Sequence, residues 1–146
     1  MSGTLRDVEI SPPTFDTFEE SLEYAERFRQ PQVFIDQFAD LLRNGLKFSA
    51  RLKYDQWLSA AGSAVISAGQ EAIKIGQAAL IRDSELFKTI VHEEMHLRLI
   101  RKAREGRYFA LNLVTDPDPS VEENYVEDIA VRYLRMYQRA FGKLKH

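Results

Sequence analysis

Residues 84–106, SELFKTIVHEEMHLRLIRKAREG, constrain this chain more than any other stretch, because they read as one helix that carries His92-Glu93-Glu94-Met95-His96 at its middle. Histidines four residues apart lie one helical turn above each other on one face, so their rings can converge on a single ion. The glutamate that follows the first histidine points to a neighbouring face, within reach of a water on that ion. This is the H-E-x-x-H arrangement that a hydrolytic zinc site requires, with Glu93 as general base. Phe87, Val91, Met95 and Leu99 form one i+4 ridge, and His92, His96 and Ile100 form the ridge beside it. The spacing predicts an amphipathic helix with the imidazoles at the edge of its apolar stripe, opened by Ser84 as N-cap and closed by Gly106.

A catalytic zinc site keeps one position open and needs three protein ligands, so a third donor must come from elsewhere. The chain has no cysteine, and its remaining histidine is the terminal residue His146, a poor candidate. The carboxylates of the last helical stretch, VEENYVEDIAVRYLRMY, are better placed. Its inward stripe runs through Val126, Ile129, Ala130, Tyr133 and Tyr137, with Glu122 and Glu123 on either side and Glu127 further round. Spacing alone leaves these three open. Ser120-x-x-Glu123 also has capping-box spacing, which would turn Glu123 back onto its own helix N-terminus.

The rest of the chain supplies a frame for these two helices. Residues 1–13 read as a loose lead-in ended by Pro12-Pro13. Thr17 and Glu20 have capping-box spacing, and the stripe Phe18, Leu22, Ala25, Phe28 predicts a core-packing helix. Pro31 ends it and opens a second helix with the stripe Val33, Phe34, Phe38, Leu41, Leu42, stopped at Asn44-Gly45. From Leu46 to Tyr54 apolar and polar residues alternate, the period of a half-buried strand. Two more strands, near 64–68 and 71–76, flank a Gly69-Gln70 turn. We expect a three-stranded, mostly antiparallel meander, although the alanines of 59–68 also permit helix. Residues 107–120 read as a connection, and Ser120 opens a last helix to about Phe141. The expectation is an α+β single domain spanning 1–146.

Net charge is −2 over 146 residues, so no basic bias points to nucleic acid. The absence of cysteine fits a reducing compartment. No apolar signal region opens the sequence, and no run approaches the roughly 18 apolar residues of a membrane span, so a cytoplasmic location without membrane contact is expected.

His92-Glu93-x-x-His96, followed by Glu123-x-x-Val126-Glu127-x-Ile129-Ala130, resembles the zincin metallopeptidases of the gluzincin type. It looks most like their small single-domain members, whose third-ligand helix reads roughly E-x-x-A-D-x-F-A. Here Val126, Glu127 and Ile129 replace the Ala, Asp and Phe, and Ala130 matches. The resemblance covers about 46–141. It implies a zincin-like fold, Zn²⁺ held by His92, His96 and Glu123, and Glu127 orienting a ligand histidine. The strand at 71–76 would hold an extended peptide by β-addition. Tyr108, Tyr125, Tyr133 and Arg107 are candidate oxyanion donors. Size and the missing signal also look like the cargo domains of bacterial polymorphic toxins, which implies a narrow protein target and an inhibitory partner protein. Two other readings stand beside this one. One is a non-enzymatic domain that binds a partner through its Phe-rich N-terminal helices. The other is a metal-dependent hydrolase of another substrate, including a nuclease, which the Arg/Lys cluster at 98–107 keeps open.

Overall fold

The motif helix runs through the middle of the molecule, and every other element is placed around it. The computed structural model describes residues 15–43, 45, 47–48 and 50–141, without the side chains of 140 and 141. The lead-in over 1–13, His146, Asn44 and parts of the expected strand from 46 lie outside the described residues. Among these the fold is α+β, with five helices and a small mixed sheet. In order they are α1 (Phe18–Arg29), α2 (Pro31–Leu42), β1 (Arg51–Tyr54), β2 (Gly62–Ser67), β3 (Gln70–Ile75), a 3-10 turn (Gln77–Leu80), α3 (Asp83–Arg104), α4 (Tyr108–Val114) and α5 (Pro119–Phe141). No helix of the described residues is long and apolar enough to cross a membrane.

Helix α3 is buried on more sides than the single apolar stripe of the expected amphipathic helix. From Leu86 to Leu97 every residue except Lys88 is buried, because β2, β3, the 3-10 turn, α4 and α5 pack around it. It starts at Asp83, with Arg82 rather than Ser84 in the N-cap position. Its end is as expected. Gly106 takes φ 81°, and the Gly106 and Arg107 amides return to the Ala103 and Lys102 carbonyls, a Schellman closure that a residue with a Cβ enters only under strain.

The sheet order is β1-β3-β2, with β1 parallel to β3 and β2 antiparallel to it, so the expected meander is replaced by an evenly mixed sheet. The β2–β3 hairpin forms as expected, but its turn is Ala68-Gly69, both at positive φ as a two-residue type I′ turn requires. Within 59–68, residues 62–67 form strand, and no helix forms there. Strand β1 is shorter than the alternation from Leu46 implies. The outer edge of β1 is closed by the Gln32 side chain: its amide donates to the Leu52 carbonyl (3.0 Å) and accepts from the Tyr54 amide (2.8 Å). Gln32 thus imitates one peptide of a neighbouring strand and blunts that edge.

The N-terminal helices brace this assembly. Thr17 caps α1 by accepting from the Glu20 amide (3.1 Å), and Glu20 accepts from the Asp16 amide (3.1 Å). The expected stripe of α1 is nevertheless turned outward, with Phe18 72% and Leu22 51% exposed. What α1 buries instead is Arg27, whose guanidinium donates to the Leu80 carbonyl (3.1 Å), pairs with Asp83 (2.9 Å) and stacks over Phe34 (4.4 Å). A buried cation is tolerated because its charge meets Asp83 and both terminal nitrogens find acceptors, although Nε has no partner among the described residues. In α2 the inward residues are Ile35, Phe38, Ala39 and Leu42, while Val33 and Leu41 of the expected stripe are exposed. The 107–120 connection contains α4, whose Ala110 is buried against the core.

Gly62 is the point where β2 meets the motif helix. A Cβ there would lie 2.5 Å from Thr89 Cγ2 and 3.2 Å from Glu93 Cγ. Gly62→Ala is expected to cost about 1–3 kcal/mol through overpacking, read as a lower urea midpoint at unchanged slope. An unchanged midpoint would show that β2 does not press on α3.

Candidate metal centre

His92 and His96 come from consecutive turns of α3 and are both 0% exposed. A buried imidazole must satisfy two ring nitrogens, and here α5 satisfies them all. His92 Nδ1 lies 3.1 Å from Glu127 Oε1, and His96 Nδ1 lies 2.5 Å from Glu122 Oε2. Because an ionised carboxylate only accepts, each Nδ1 carries the donated proton, so Nε2 is the nitrogen that would exchange its proton for an ion. The two Nε2 atoms face each other at 3.2 Å. Glu123 faces both: its Oε2 is 3.0 Å from His92 Nε2 and its Oε1 is 2.8 Å from His96 Nε2.

This division of labour follows from the start of α5. Asp118 takes the capping role there, accepting from the Ser120 amide (3.0 Å) and hydroxyl (2.8 Å). Ser120 lies inside the helix, so the capping box that competed for Glu123 does not form. Val126 and Ala130, both 0% exposed, seat α5 on α3 and turn the Glu123 carboxylate toward the histidines. Of the expected inward stripe, Tyr137 packs against Phe87 (4.9 Å between ring centres), while Tyr133 is exposed.

The donors of His92, His96 and Glu123 lie within 4.8 Å of one another and can hold a metal ion. Nitrogen and oxygen ligands around a tetrahedral ion with bonds near 2.1 Å stand about 3.4 Å apart, close to the separations seen here. Glu93, also 0% exposed, places Oε2 4.0 Å from His92 Nε2, beside this cluster and outside the ligand set. Glu127 and Glu122 hold the far nitrogens of the two rings, the orienting role expected for Glu127 alone. The role of Glu122 was legible only as one of three candidate ligands.

The electrostatics favour positive charge. Four carboxylates, Glu93, Glu122, Glu123 and Glu127, approach two imidazoles within 4.0 Å or less. Burial alone would hold the His96 proton loosely, but hydrogen bonds to Glu122 and Glu123 and the charge of Glu93 outweigh it and raise its pKa to about 9. His92 is opposed by burial in the same way and raised by Glu123 and Glu127. Burial pushes Glu123 upward, yet the two histidines beside it hold it down at about 2. Without an ion, protons supply the positive charge that the carboxylates demand.

The other expected site residues are elsewhere. Arg107, Tyr108 and Tyr125 line a separate groove of about 450 Å³ between α3, α4 and α5. Neither they nor Tyr133 bond to the two histidines among the described residues. No model of a known protein family matches the chain, nor does any curated protein or solved structure.

Two outcomes follow. Glu122→Gln and Glu127→Gln should each weaken metal affinity about 10–100-fold in a competition titration, because the amide can still accept from Nδ1 but no longer supplies the charge that makes the ring a stronger ligand. Equal affinity in both variants would mean that the charge of these carboxylates does not strengthen the ligands. In metal-free protein, the histidine contribution is complete below the ordinary value of 6.5 and lost as pH rises through about 9 for His96. The Glu123 contribution is present above 4.5 and lost as pH falls through about 2. Thermal melts should therefore show metal-free stability declining from pH 6.5 to 9, and a saturating divalent ion should remove that decline because it replaces the departing protons. A flat metal-free profile over that range contradicts the arrangement.

Proposed function

We propose that this chain is a zinc-dependent metallopeptidase of zincin-like type, with His92, His96 and Glu123 as metal ligands and Glu93 as general base. The observation that carries the reading is the convergence of both Nε2 atoms and the Glu123 carboxylate on one point, with Glu93 beside it. Two imidazoles and a carboxylate, with no thiolate among them, are a donor set suited to zinc. Zinc held there supplies Lewis acidity, polarising a carbonyl and acidifying water to a pKa near 7.

The remaining steps belong to the chain's own groups. Glu93 takes the proton of the attacking water and returns it to the departing amine. Its burial keeps bulk water from competing for that proton, while the partial exposure of Glu123, at 28% of its side chain, leaves an approach from solvent. Glu122 and Glu127 keep the imidazoles in the tautomer that presents Nε2.

The peptide seat must be reassigned. Strand β3, the segment expected to bind substrate, is flanked by β1 and β2 and has no open edge. Strand β2 pairs on one side only among the described residues, and its first residue, Gly62, packs against Glu93. We assign β2 as the strand that an extended peptide joins, because it has one side unpaired among the described residues and its Gly62 packs against the general base. A narrow protein target and an inhibitory partner, as for a toxin cargo domain, are compatible with this reading and rest on the sequence resemblance.

Zinc-loaded protein incubated with a peptide library and read by mass spectrometry should yield new termini. Glu93→Gln should keep its zinc and cleave at least about 100-fold more slowly, whereas His92→Ala and His96→Ala should lose both metal and cleavage. Full activity in Glu93→Gln would overturn the mechanism.

A further inference from the structure

The groove of about 450 Å³ between α3, α4 and α5 contains none of the metal ligands. Its floor is Met95, Leu99, Ala110 and Ile129, and its walls are the rings of Tyr108, Phe109 and Tyr125. Phe109 and Tyr125 meet edge to face, 5.2 Å between ring centres. Even so, Tyr108 is 82% exposed and Phe109 60%, so much of this aromatic surface still faces water. The three remaining residues of the lining are Arg98, Lys102 and Arg107, and no acid joins them. In a chain of net charge −2, a cavity walled by apolar side chains and bases alone inverts the local charge. Clefts that take small molecules have this make-up: roughly 300–1,000 Å³, mostly apolar and aromatic, with a few polar groups that fix orientation.

The bases divide into two kinds. Arg98 is already engaged by Glu94 (2.9 Å) and by the Lys47 carbonyl, so it adds charge rather than donors. Lys102 and Arg107 make no ion pair among the described residues. The turn that closes α3 sets their backbones together, with the Arg107 amide donating to the Lys102 carbonyl (3.1 Å).

This lining discriminates among occupants. A cation would meet three bases with no acid between them. A peptide would press its amides and carbonyls onto apolar walls, a cost that no open strand edge offsets between three helices. A wholly apolar molecule leaves the bases unused. A hydrocarbon chain that ends in a carboxylate fits every part: the chain leaves water against the floor and rings, and the planar carboxylate matches the guanidinium fork of Arg107.

We propose that this groove binds a medium-chain fatty acid, with its chain along Met95, Leu99 and Ile129 and its carboxylate held by Arg107 and Lys102. The assignment does not depend on the zinc reading. The probe is decanoate below its micelle concentration, followed by amide shift mapping and calorimetry on the full chain in about 150 mM salt, where loose surface attraction is screened. Saturable binding should appear and shift amides of 95–102, 107–110 and 125–129. Decylammonium should bind at least about tenfold more weakly, and acetate should not saturate, because each lacks one half of the match. Arg107→Ala combined with Lys102→Ala should weaken decanoate about tenfold, and Phe109→Ala about fivefold. All three side chains are exposed, so neither variant threatens folding. Absence of saturable binding, decylammonium or acetate binding as tightly as decanoate, or decanoate binding unchanged in either variant would each overturn the proposal.

Discussion

Two imidazoles buried at 0% exposure on one helix are the constraint from which the rest of the structure follows. Each ring has two nitrogens that need partners, and hydrophobic neighbours supply none. Helix α5 answers with three carboxylates in six residues: Glu122 and Glu127 take the outer nitrogens, and Glu123 stands between the inner pair. Glu93, also buried, adds a fourth negative charge. That excess of negative charge holds protons on the histidines, and a divalent ion meets the same demand more locally. The metal-binding capacity and the α3–α5 packing are one interaction seen from two sides.

A helix that must bury polar groups on several faces cannot lie on a surface. It is enclosed instead, by α5 at the histidines, by α4 on a further flank and by the sheet near Glu93, with Gly62 clearing space for the approach. The N-terminal helices stabilise this enclosure from outside. Arg27 links α1 to the 3-10 turn and to the start of α3, and Gln32 links α2 to β1. Both use polar side chains to saturate backbone or charge at the margin of the core, and neither helix contributes a residue to the site.

Much of this was legible from local chemistry. The motif, its mid-helix position, the Gly106 closure, the Thr17 cap and the β2–β3 hairpin each depend on a few neighbouring residues. What escaped depends on distant ones. The parallel pairing of β1 with β3 joins segments separated by β2 and the loops on either side of it, and nothing in either strand specifies it. Hydropathy placed Phe18 and Leu22 inward and left Arg27 out, because it cannot register a cation neutralised by Asp83 and the Leu80 carbonyl. The same limitation made α3 look amphipathic, since Glu93 and Glu94 count as polar wherever they sit. Among Glu122, Glu123 and Glu127 the choice turned on the helix start. Once Asp118 rather than Ser120 caps α5, Glu123 is released from the N-terminus and its direction is settled by the burial of Val126 and Ala130.

The most direct test of the central claim is X-ray absorption spectroscopy on the zinc-loaded chain, with the metal content of the same sample. The arrangement described here gives one zinc per chain, bound by two imidazoles and light oxygen donors at about 2.0–2.2 Å, with one oxygen donor lost in Glu123→Ala. Substoichiometric zinc, or a spectrum with fewer than two imidazoles, would contradict it.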